Sequence, residues 1–149
     1  DKEMVEKYYA KEIAEHNIVL DFQIPAQDIV IKANPEQLSK SFMSFFVNSI
    51  YALIKKAQRT SYTPTLSAKI NSDGKTINII IHDNGIGIEE TIINKVFDPF
   101  FTTKPTGEAS GVGLYLSNEI IQNYGGEISV KSTKDEFCEF TITLPAITQ

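Results

Sequence analysis

Two short glycine-rich segments contain the residues of this sequence best suited to chemistry. Five of the eight glycines lie between Asp83 and Gly113, and no glycine occurs before Gly74. Glycine admits a positive φ and lets a ligand come close to the backbone. Loop amides that lead into a helix N-terminus bind anions, so the pattern favours a site for a phosphate-bearing ligand. The first glycine segment is Asp83, Asn84, Gly85, Ile86, Gly87 and Ile88; the second is Ser110, Gly111, Val112, Gly113 and Leu114.

The first glycine segment begins with an acidic residue in an apolar context. Asp83 follows a run of isoleucines that predicts a strand, where a carboxylate is costly unless it accepts specific hydrogen bonds. The exocyclic amine of an adenine base is a donor of the right kind, and Gly85 and Gly87 would let that base lie against the backbone. A plain Asp-Asn-Gly turn explains the same residues. The segment alone leaves both interpretations open.

Residues 97–104 combine phenylalanines with two hydroxyls and a cation. The phenylalanines suit core packing, whereas the threonines and the lysine come just before residues 105–109, a stretch able to close over a nucleotide. The second glycine segment would then start a helix with bare amides, which is a phosphate site. One Gly-x-Gly is a weak signal, but these motifs in this order are a strong one. The residues concerned are Phe97, Phe100, Phe101, Thr102, Thr103 and Lys104.

A long helix before these motifs has an unusual polar face. Asn34 as N-cap and Pro35 at the first position predict a helix that runs to about Lys56. A solvated surface is the ordinary explanation of a polar face. Because acidic and basic pairs are missing here until Lys55, the face better suits the wall of a cavity, and Asn48 would offer a carbonyl oxygen to Mg²⁺. The polar stripe consists of Gln37, Ser41, Ser44, Asn48, Tyr51 and Lys55.

The other patterns predict the elements that position these motifs. Strands are expected at residues 18–24, 29–32, 66–70, 77–81, 127–130 and 137–144, with Asp73-Gly74 as a hairpin turn. Helices are expected at residues 2–16, shortly after Ile88, and from Ser110 to Gly125-Gly126. Hairpins join several strands, so we predict an α+β two-layer sandwich with a mixed, mostly antiparallel sheet and helices on one face.

Composition limits the class of protein. With 149 residues, 42% of them hydrophobic and 22% charged, the chain fits one globular domain. A net charge of −5 and no basic run longer than Lys55-Lys56 argue against nucleic-acid binding. The single cysteine, Cys138, is expected to pack in the core. No stretch approaches the about 20 apolar residues of a membrane span, and the first residues do not form a signal peptide.

The ordered motifs resemble those of the ATP-binding catalytic domain of sensor histidine kinases. That superfamily also includes gyrase, Hsp90 and MutL. Its N box resembles residues 42–53, its G1 box residues 83–88, its F box residues 97–104 and its G2 box residues 110–114. The resemblance covers about the whole chain, and within the kinases it is nearest to the nitrogen-regulation type. It implies a Bergerat-type ATP-binding fold as a single domain over residues 1–149.

The resemblance also implies cofactors and residue roles. ATP and Mg²⁺ are the implied cofactors, with Asn48 as metal ligand, Asp83 as adenine reader, and Asn48 and Lys104 as the catalytic residues. The nucleotide-binding set that it implies is Asn48, Tyr51, Asp83, Gly85, Gly87, Ile88, Phe97, Thr102, Thr103, Lys104, Ser110, Gly111, Val112, Gly113 and Leu114.

Two positions depart from the family pattern. Ser44 stands one turn before Asn48, where many members have Asn, His or Glu and where gyrase-like ATPases use Glu to activate water. Tyr51 stands where many kinases have a lysine near phosphate, so Lys104 or Lys55 must supply the cation. Ser44 therefore argues against efficient ATP hydrolysis.

Neither histidine of the sequence has the context of a phosphoacceptor. His16 is expected at a helix end and His82 on a strand. The resemblance then implies an acceptor histidine on a separate dimerisation domain before Asp1, with residues 1–16 as the joining helix. Implied partners are that domain, a second copy of the full-length protein and a response regulator, in the cytoplasmic part of a larger and possibly membrane-anchored protein.

Three functions remain open from the sequence. The leading hypothesis is transfer of the ATP γ-phosphoryl group to histidine in another domain. The second is a nucleotide-binding regulatory module without transfer activity, which Ser44 and Tyr51 keep open. The third is an ATP-hydrolysing clamp of the MutL or Hsp90 kind, which Ser44 disfavours. Transfer to a supplied acceptor domain separates the first two, and slow phosphate release would exclude the third.

Overall fold

The computed structural model is a five-stranded sheet covered by helices on one face. It describes residues 5–7, 9–25, 33–99 and 113–146. The helices are α1 (Ala10–His16), α2 (Pro35–Ala57) and α3 (Gly113–Asn123), with a short 3-10 helix at Ile93–Lys95. The strands are β1 (Val19–Gln23), β2 (Thr65–Ser72), β3 (Thr76–Asp83), β4 (Glu127–Thr133) and β5 (Phe137–Pro145).

The sheet has the strand order β1-β2-β3-β5-β4. β1 pairs with β2 in parallel, and the other three pairs are antiparallel. This confirms the predicted mixed, mostly antiparallel sheet. In the centre of the sheet, Asp83 lies opposite Leu66 on β2 and Cys138 on β5. The last residue of β3 is therefore surrounded by core strands on both sides.

Alternating burial shows which face of the sheet is covered. Along β3 and β5 every second residue is buried, and α2 packs its apolar stripe against these positions. This period of two is what a sheet with one solvated face requires. The shared core includes Phe45, Phe46, Ile50, Leu53, Ile77, Ile79, Ile81, Phe140, Ile142 and Leu144.

The predicted start of α2 is confirmed in detail. Asn34 Oδ1 accepts hydrogen bonds from the backbone N–H groups of Glu36 (2.9 Å) and Gln37 (3.2 Å), and Pro35 occupies the first turn. These bonds satisfy donors that a helix start would otherwise leave free. The helix ends at Ala57, one residue beyond the predicted end.

Local turn chemistry fixes the hairpin and the end of α3. Asp73 Oδ1 accepts from the N–H groups of Lys75 (2.9 Å) and Thr76 (2.8 Å), and these bonds lower the pKa of the exposed Asp73 carboxyl. Gly74 has φ +90° and Gly125 has φ +78°, values that favour glycine. The predicted hairpin between β2 and β3 is confirmed.

Some predicted elements differ from the structure. The helix expected after Ile88 is only the 3-10 turn at Ile93–Lys95. The first strand was expected to extend to Ile24, but β1 ends at Gln23 and Ile24 is 62% exposed. The strand expected at residues 29–32 lies outside the described residues. Within the described part of the chain, no helix is long and apolar enough to cross a membrane.

Candidate functional site

The carboxyl group of Asp83 is the most unusual polar group of the core. Asp83 is the last residue of β3 and is 2% exposed. Its Oδ1 accepts a hydrogen bond from Gly85 N at 2.9 Å. Burial raises the pKa of Asp83 to about 6, against the opposing effects of the Gly85 hydrogen bond, Ser49, His82 and Lys56. A buried carboxyl of this kind is suited to accept a donor from a ligand.

A second buried polar group faces the same carboxyl. Ser49 is 1% exposed on α2, and its hydroxyl lowers the pKa of Asp83. Within ordinary limits of distance and angle, however, Ser49 Oγ has no hydrogen-bond partner among the described residues. Buried hydroxyls are normally paired, so polar capacity remains beside Asp83.

The first glycine segment is hydrogen-bonded to its surroundings at almost every residue. Asn84 Oδ1 accepts from Thr65 N (2.8 Å), and Asn84 Nδ2 donates to Thr63 O (2.9 Å). Ile86 N donates to Ala52 O of α2 (3.3 Å). On the side of the β4–β5 turn, Asp135 N donates to Ile86 O (2.6 Å) and Ile88 N donates to Ser132 Oγ (2.7 Å). These bonds attach the segment to α2, to the start of β2 and to the β4–β5 hairpin.

Glycine is required at positions 85 and 87 by packing within the chain. A Cβ at Gly85 would lie 2.6 Å from the carbonyl carbon of Ala52 on α2. Gly87 has φ +66°, and a Cβ there would collide with the carbonyl oxygen of Thr133 at the end of β4. The segment is thus wedged between α2 and the β4–β5 hairpin. Contact of these glycines with an adenine base stays a prediction.

A lysine at the end of α2 joins the same elements. Lys56 Nζ donates to Asn84 O (3.1 Å) and Asp135 O (2.9 Å), and it lies 4.7 Å from the ring centroid of Tyr62. Tyr62 in turn donates its hydroxyl hydrogen bond to Leu53 O (2.7 Å). Burial and the Asp83 charge raise the pKa of Tyr62 to about 12. The tyrosine therefore stays neutral beside the carboxyl group.

α3 covers the first half of the polar stripe on α2. Ser117 Oγ donates to Ser41 O at 3.1 Å, and both serines are 1% exposed. A Cβ at Gly113 would lie 3.2 Å from Ser44 Oγ, which itself bonds Lys40 O. The stripe is therefore not a simple solvated face. The start of α3 therefore lies against Ser44, which is one helical turn before the half-buried Asn48 on α2.

Lys55 and Tyr51 continue the stripe towards the C-terminal end of α2. Both side chains are half-buried, and Lys55 Nζ lies 5.3 Å from the Tyr51 ring centroid. This contact is a cation–π pair. Lys55 is one of the two lysines that could replace the lysine missing at position 51. Its ammonium group therefore lies one to two helical turns beyond Asn48.

The described aromatic residue of the 97–104 region packs as expected. The Phe97 ring meets Phe140 edge-on, with centroids 6.1 Å apart, and Phe140 contacts Phe45 at 5.0 Å. Ile88 and Leu114 also pack against the core. These contacts confirm the core-packing interpretation of Phe97. Its contact with a nucleotide stays a prediction.

Several predicted site residues lie outside the described residues. The predicted catalytic Lys104 and three residues of the second glycine segment are among them. Among the described residues, no three His, Cys, Asp or Glu side chains cluster as metal ligands. The assignment of Asn48 as a Mg²⁺ ligand stays a prediction. The residues outside are Phe100, Phe101, Thr102, Thr103, Lys104, Ser110, Gly111 and Val112.

His82 and Cys138 take structural positions. His82 Nδ1 lies 3.3 Å from Glu139 Oε1, and its ring stacks on Phe137 with centroids 5.4 Å apart. Cys138 is buried, and this burial raises the pKa of its thiol far above the ordinary value. A thiol in such surroundings is unreactive, as its predicted packing role requires.

Sequence reasoning missed three residues that build the site. Ser49, Lys56 and Ser132 contact Asp83 or the first glycine segment, yet only Lys56 carries any sequence signal. A lysine in the last turn of a helix is explained by the helix dipole alone, so that signal is ambiguous. Their roles depend on elements distant in sequence.

Comparison with known proteins agrees with this geometry. Residues 33–148 match the family described as histidine kinase-, DNA gyrase B-, and HSP90-like ATPase. The chain belongs to this ATPase family. The catalytic domain of the histidine kinase ThkA has the same fold, with a TM-score of 0.77 and 21% identity, covering 96% of this chain and 90% of that one. The predicted resemblance and the fold that it implies are confirmed.

Two longer relatives of this chain are a sensor protein and a sensor histidine kinase. The sensor protein TdiS of Thauera aromatica is 28% identical over 134 residues, and the sensor histidine kinase ZraS of Salmonella typhi is 35% identical over 117 residues. These matches cover 90% and 78% of this chain, but the chain spans only 24% and 23% of the two relatives. Membership of the ATPase family implies ATP binding, and the homology is to the catalytic domains of sensor histidine kinases.

Proposed function

We propose that this chain binds Mg²⁺-ATP and transfers the γ-phosphoryl group to a histidine on a separate domain. One observation carries the proposal: α2 contacts both the segment that begins at Asp83 and the start of α3. The segment of the buried Asp83 carboxyl and the start of α3 thus contact the same helix, at Ala52 and Ser44, and Asn48 lies between these two residues in sequence. This arrangement suits a nucleotide with its base at one end of the face and its phosphates at the other.

The base would bind at Asp83. Its carboxyl group can accept the hydrogen bond of an adenine exocyclic amine, and the Gly85 N–H holds it in place. Because the carboxyl is buried, an unpaired ligand donor or acceptor there is costly, which favours a base with the matching pattern. Ser49 Oγ lies beside the same carboxyl as a further polar partner.

The phosphates would lie towards the start of α3. Gly113 has no side chain between its backbone and Ser44, and a helix N-terminus favours negative charge. Asn48 would hold Mg²⁺ through its side-chain oxygen, and the ion would neutralise charge on the phosphates. Lys104, Thr102, Thr103 and the second glycine segment complete the proposed contacts.

Residues at two positions of α2 favour transfer over hydrolysis. Ser44, one turn before Asn48, already bonds Lys40 O at 3.3 Å and has no group that takes a proton from water. Lys55, the last residue of the polar stripe, lies over Tyr51 and is one of the two lysines proposed to supply the cation. The protein would thus contribute positioning and electrostatics, which is what phosphoryl transfer requires.

The acceptor is proposed to be outside these residues. His82 is paired with Glu139 and stacked on Phe137, and His16 is the last residue of α1. Neither has the exposed mid-helix position that an attacking imidazole needs. We further propose that the full-length protein is a homodimer that passes the phosphoryl group to a response regulator.

A transfer assay tests the proposal. The chain is mixed with an acceptor domain from a relative such as ZraS, with γ-labelled ATP and Mg²⁺, and label on the acceptor histidine is followed with time. We expect transfer to the acceptor, no label on His16 or His82, and little free phosphate. ATP binding without transfer would favour a nucleotide-binding regulatory module, and rapid phosphate release would favour a hydrolytic clamp.

A further inference from the structure

Lys56 has an environment that differs from that of an ordinary lysine at a helix end. It is half-buried, and its ammonium group donates to two backbone carbonyls, Asn84 O at 3.1 Å and Asp135 O at 2.9 Å. The face of Tyr62 lies below it, at 4.7 Å from the centroid. An ammonium group has three N–H donors, so backbone and ring contacts account for its bonding directions.

The two carbonyls belong to the first glycine segment and to the turn that is bonded to it. Asn84 is the second residue of the first glycine segment, and Asp135 lies in the β4–β5 turn that bonds Ile86 of that segment. Lys56 itself is on α2, about two turns after Asn48. One side chain therefore connects the helix that carries the proposed metal ligand with the segment beside the base.

The partner ring is fixed in its turn. Tyr62 OH donates to Leu53 O at 2.7 Å, so the ring is attached to the helix that carries Lys56. Lys55, the neighbouring residue, shows the contrast: its ammonium lies 5.3 Å from the ring of Tyr51, on the polar stripe. Two adjacent lysines thus point to different sides of α2, and only Lys56 bonds the segment.

We propose that Lys56 is a positioning residue for nucleotide binding, which holds the first glycine segment and Asp83 in the geometry that accepts the base. The inference rests on the proposed function. It assigns Lys56 an action on the base side, without contact to the phosphates. Its positive charge acts in the same direction, because it favours the ionised Asp83 that accepts the adenine amine.

The test compares Lys56→Met with Lys69→Met. Methionine keeps the length of the side chain over Tyr62 and removes the three donors, and Lys69 is an exposed lysine of β2 on the uncovered face of the sheet. In the transfer assay with a supplied acceptor domain, we expect Lys56→Met to raise the KM for ATP about 10-fold and to leave kcat within about twofold of the wild-type value. The reason is that the variant loses charge-assisted hydrogen bonds that act on ATP binding. Lys69→Met should leave both values unchanged.

Adenosine separates positioning from direct phosphate contact. If Lys56 acts through the first glycine segment, Lys56→Met weakens adenosine and ATP by the same factor in calorimetry. Weaker ATP with unchanged adenosine would mean a phosphate contact and would overturn the inference. Faster amide hydrogen exchange at residues 84–88 is expected in the same variant, measured well below its melting temperature.

Two further outcomes are decisive. Equal KM in wild type and Lys56→Met, with wild type binding ATP, would overturn the positioning role while leaving the proposed function intact. Wild type that binds no ATP would instead remove the proposed function itself. Should Lys56→Met not fold, Lys56→Arg replaces it: the guanidinium keeps the charge but has a different donor geometry, so we expect a KM for ATP that is higher than that of wild type by less than about 10-fold. An unchanged KM together with unchanged amide exchange at residues 84–88 contradicts the role.

Discussion

The two halves of α2 hold the two sides of the site in different ways. The C-terminal half meets the first glycine segment through backbone and charged contacts: Ala52 O accepts from Ile86 N, and Lys56 Nζ donates to Asn84 O. The N-terminal half meets α3 through neutral hydroxyls and close approach, at Ser117 with Ser41 and at Gly113 with Ser44. One helix thus supports a tightly bonded side and a loosely bonded side.

The ends of α3 show how the looser side is attached. Tyr124, just after α3, accepts from Asn34 N at 3.0 Å and donates to Gln37 Oε1 at 2.5 Å. At the other end of α3, among the described residues, Gly113 closely approaches Ser44 of α2: a Cβ at this position would lie 3.2 Å from Ser44 Oγ. We infer that the base side is preformed, whereas the phosphate side can adjust to a nucleotide.

The largest expected effect is on the preformed side, with Gly87→Ala. The new Cβ collides with Thr133 O and the residue keeps φ +66°, so we expect the free energy of unfolding to fall by about 3–4 kcal/mol, with loss of ATP binding. Gly74→Ala is the matched control, because Gly74 has φ +90° and no atom within 4 Å of its Cβ position. Equal losses in denaturant unfolding would show that strain, and not packing, requires glycine at 87.

Asp83→Asn should change stability and binding in opposite directions. The folded pKa of about 6 exceeds the ordinary 3.8, so the folded state keeps a proton that the unfolded state has lost. The free energy of unfolding therefore falls as pH rises between these values and stays lower above them. At pH 7 the variant should be about 3 kcal/mol more stable than wild type, and below pH 3.8 the gain should vanish.

The binding effect of the same variant has the opposite sign. Asparagine presents an N–H₂ group where a carboxylate oxygen accepted the adenine amine, so ATP affinity should fall about 10-fold. Asp21→Asn, an exposed carboxyl on β1, is the control for both measurements. A variant with wild-type affinity in calorimetry, or with the wild-type pH profile of unfolding, would contradict the role given to Asp83.

Asn48→Ala tests the boundary between the two halves of α2. Asn48 is proposed to act on the metal and phosphates, so phosphoryl transfer should fall about 100-fold while adenosine affinity is unchanged. Adenosine binding is the internal control within the same variant. A parallel loss of adenosine binding would mean that the helix is damaged, and the metal role would lose its support.

The smallest effect is expected on the looser side, with Ser117→Ala. Loss of the 3.1 Å bond to Ser41 O should lower the free energy of unfolding by about 1 kcal/mol and change ATP affinity less than Asp83→Asn does. The control is Ser129→Ala, at an exposed position of β4. An affinity loss as large as that of Asp83→Asn would show that the α3 side is as rigid as the base side.

Much of the fold could be predicted because its signals are local. Asn34 and Pro35 predicted the start of α2 through capping, and Asp73-Gly74 predicted the hairpin through turn geometry. The polar stripe predicted that this face of α2 is more than a solvated surface, and the burial of Ser41 beside Ser117 agrees with that; a cavity wall stays a prediction. The predicted end of the first strand at Ile24 was wrong, because the alternation of apolar residues alone does not tell where a strand leaves the sheet.

The site was predicted less completely than the fold. The order of motifs identified the family, whereas the adenine role of Asp83 stays a prediction. Glycine at positions 85 and 87 is required by packing on α2 and on the β4–β5 hairpin, which the sequence did not predict. No spacing rule links Lys56 to Asp135, which is 79 residues away. Contacts of that range depend on how the strands are ordered, which one sequence does not state.

The sequence by itself determined the long helix α2, the Asp73-Gly74 hairpin, the motif order and the family, because capping, periodicity and glycine placement act over a few residues. Only the tertiary structure decided which groups meet. It buried the Asp83 carboxyl between β2 and β5, set Ser49 beside it, and turned Lys56 towards the first glycine segment while Lys55 faced Tyr51. Burial and long-range pairing set the charge and position of these groups, and both arise only when the helices pack on the sheet.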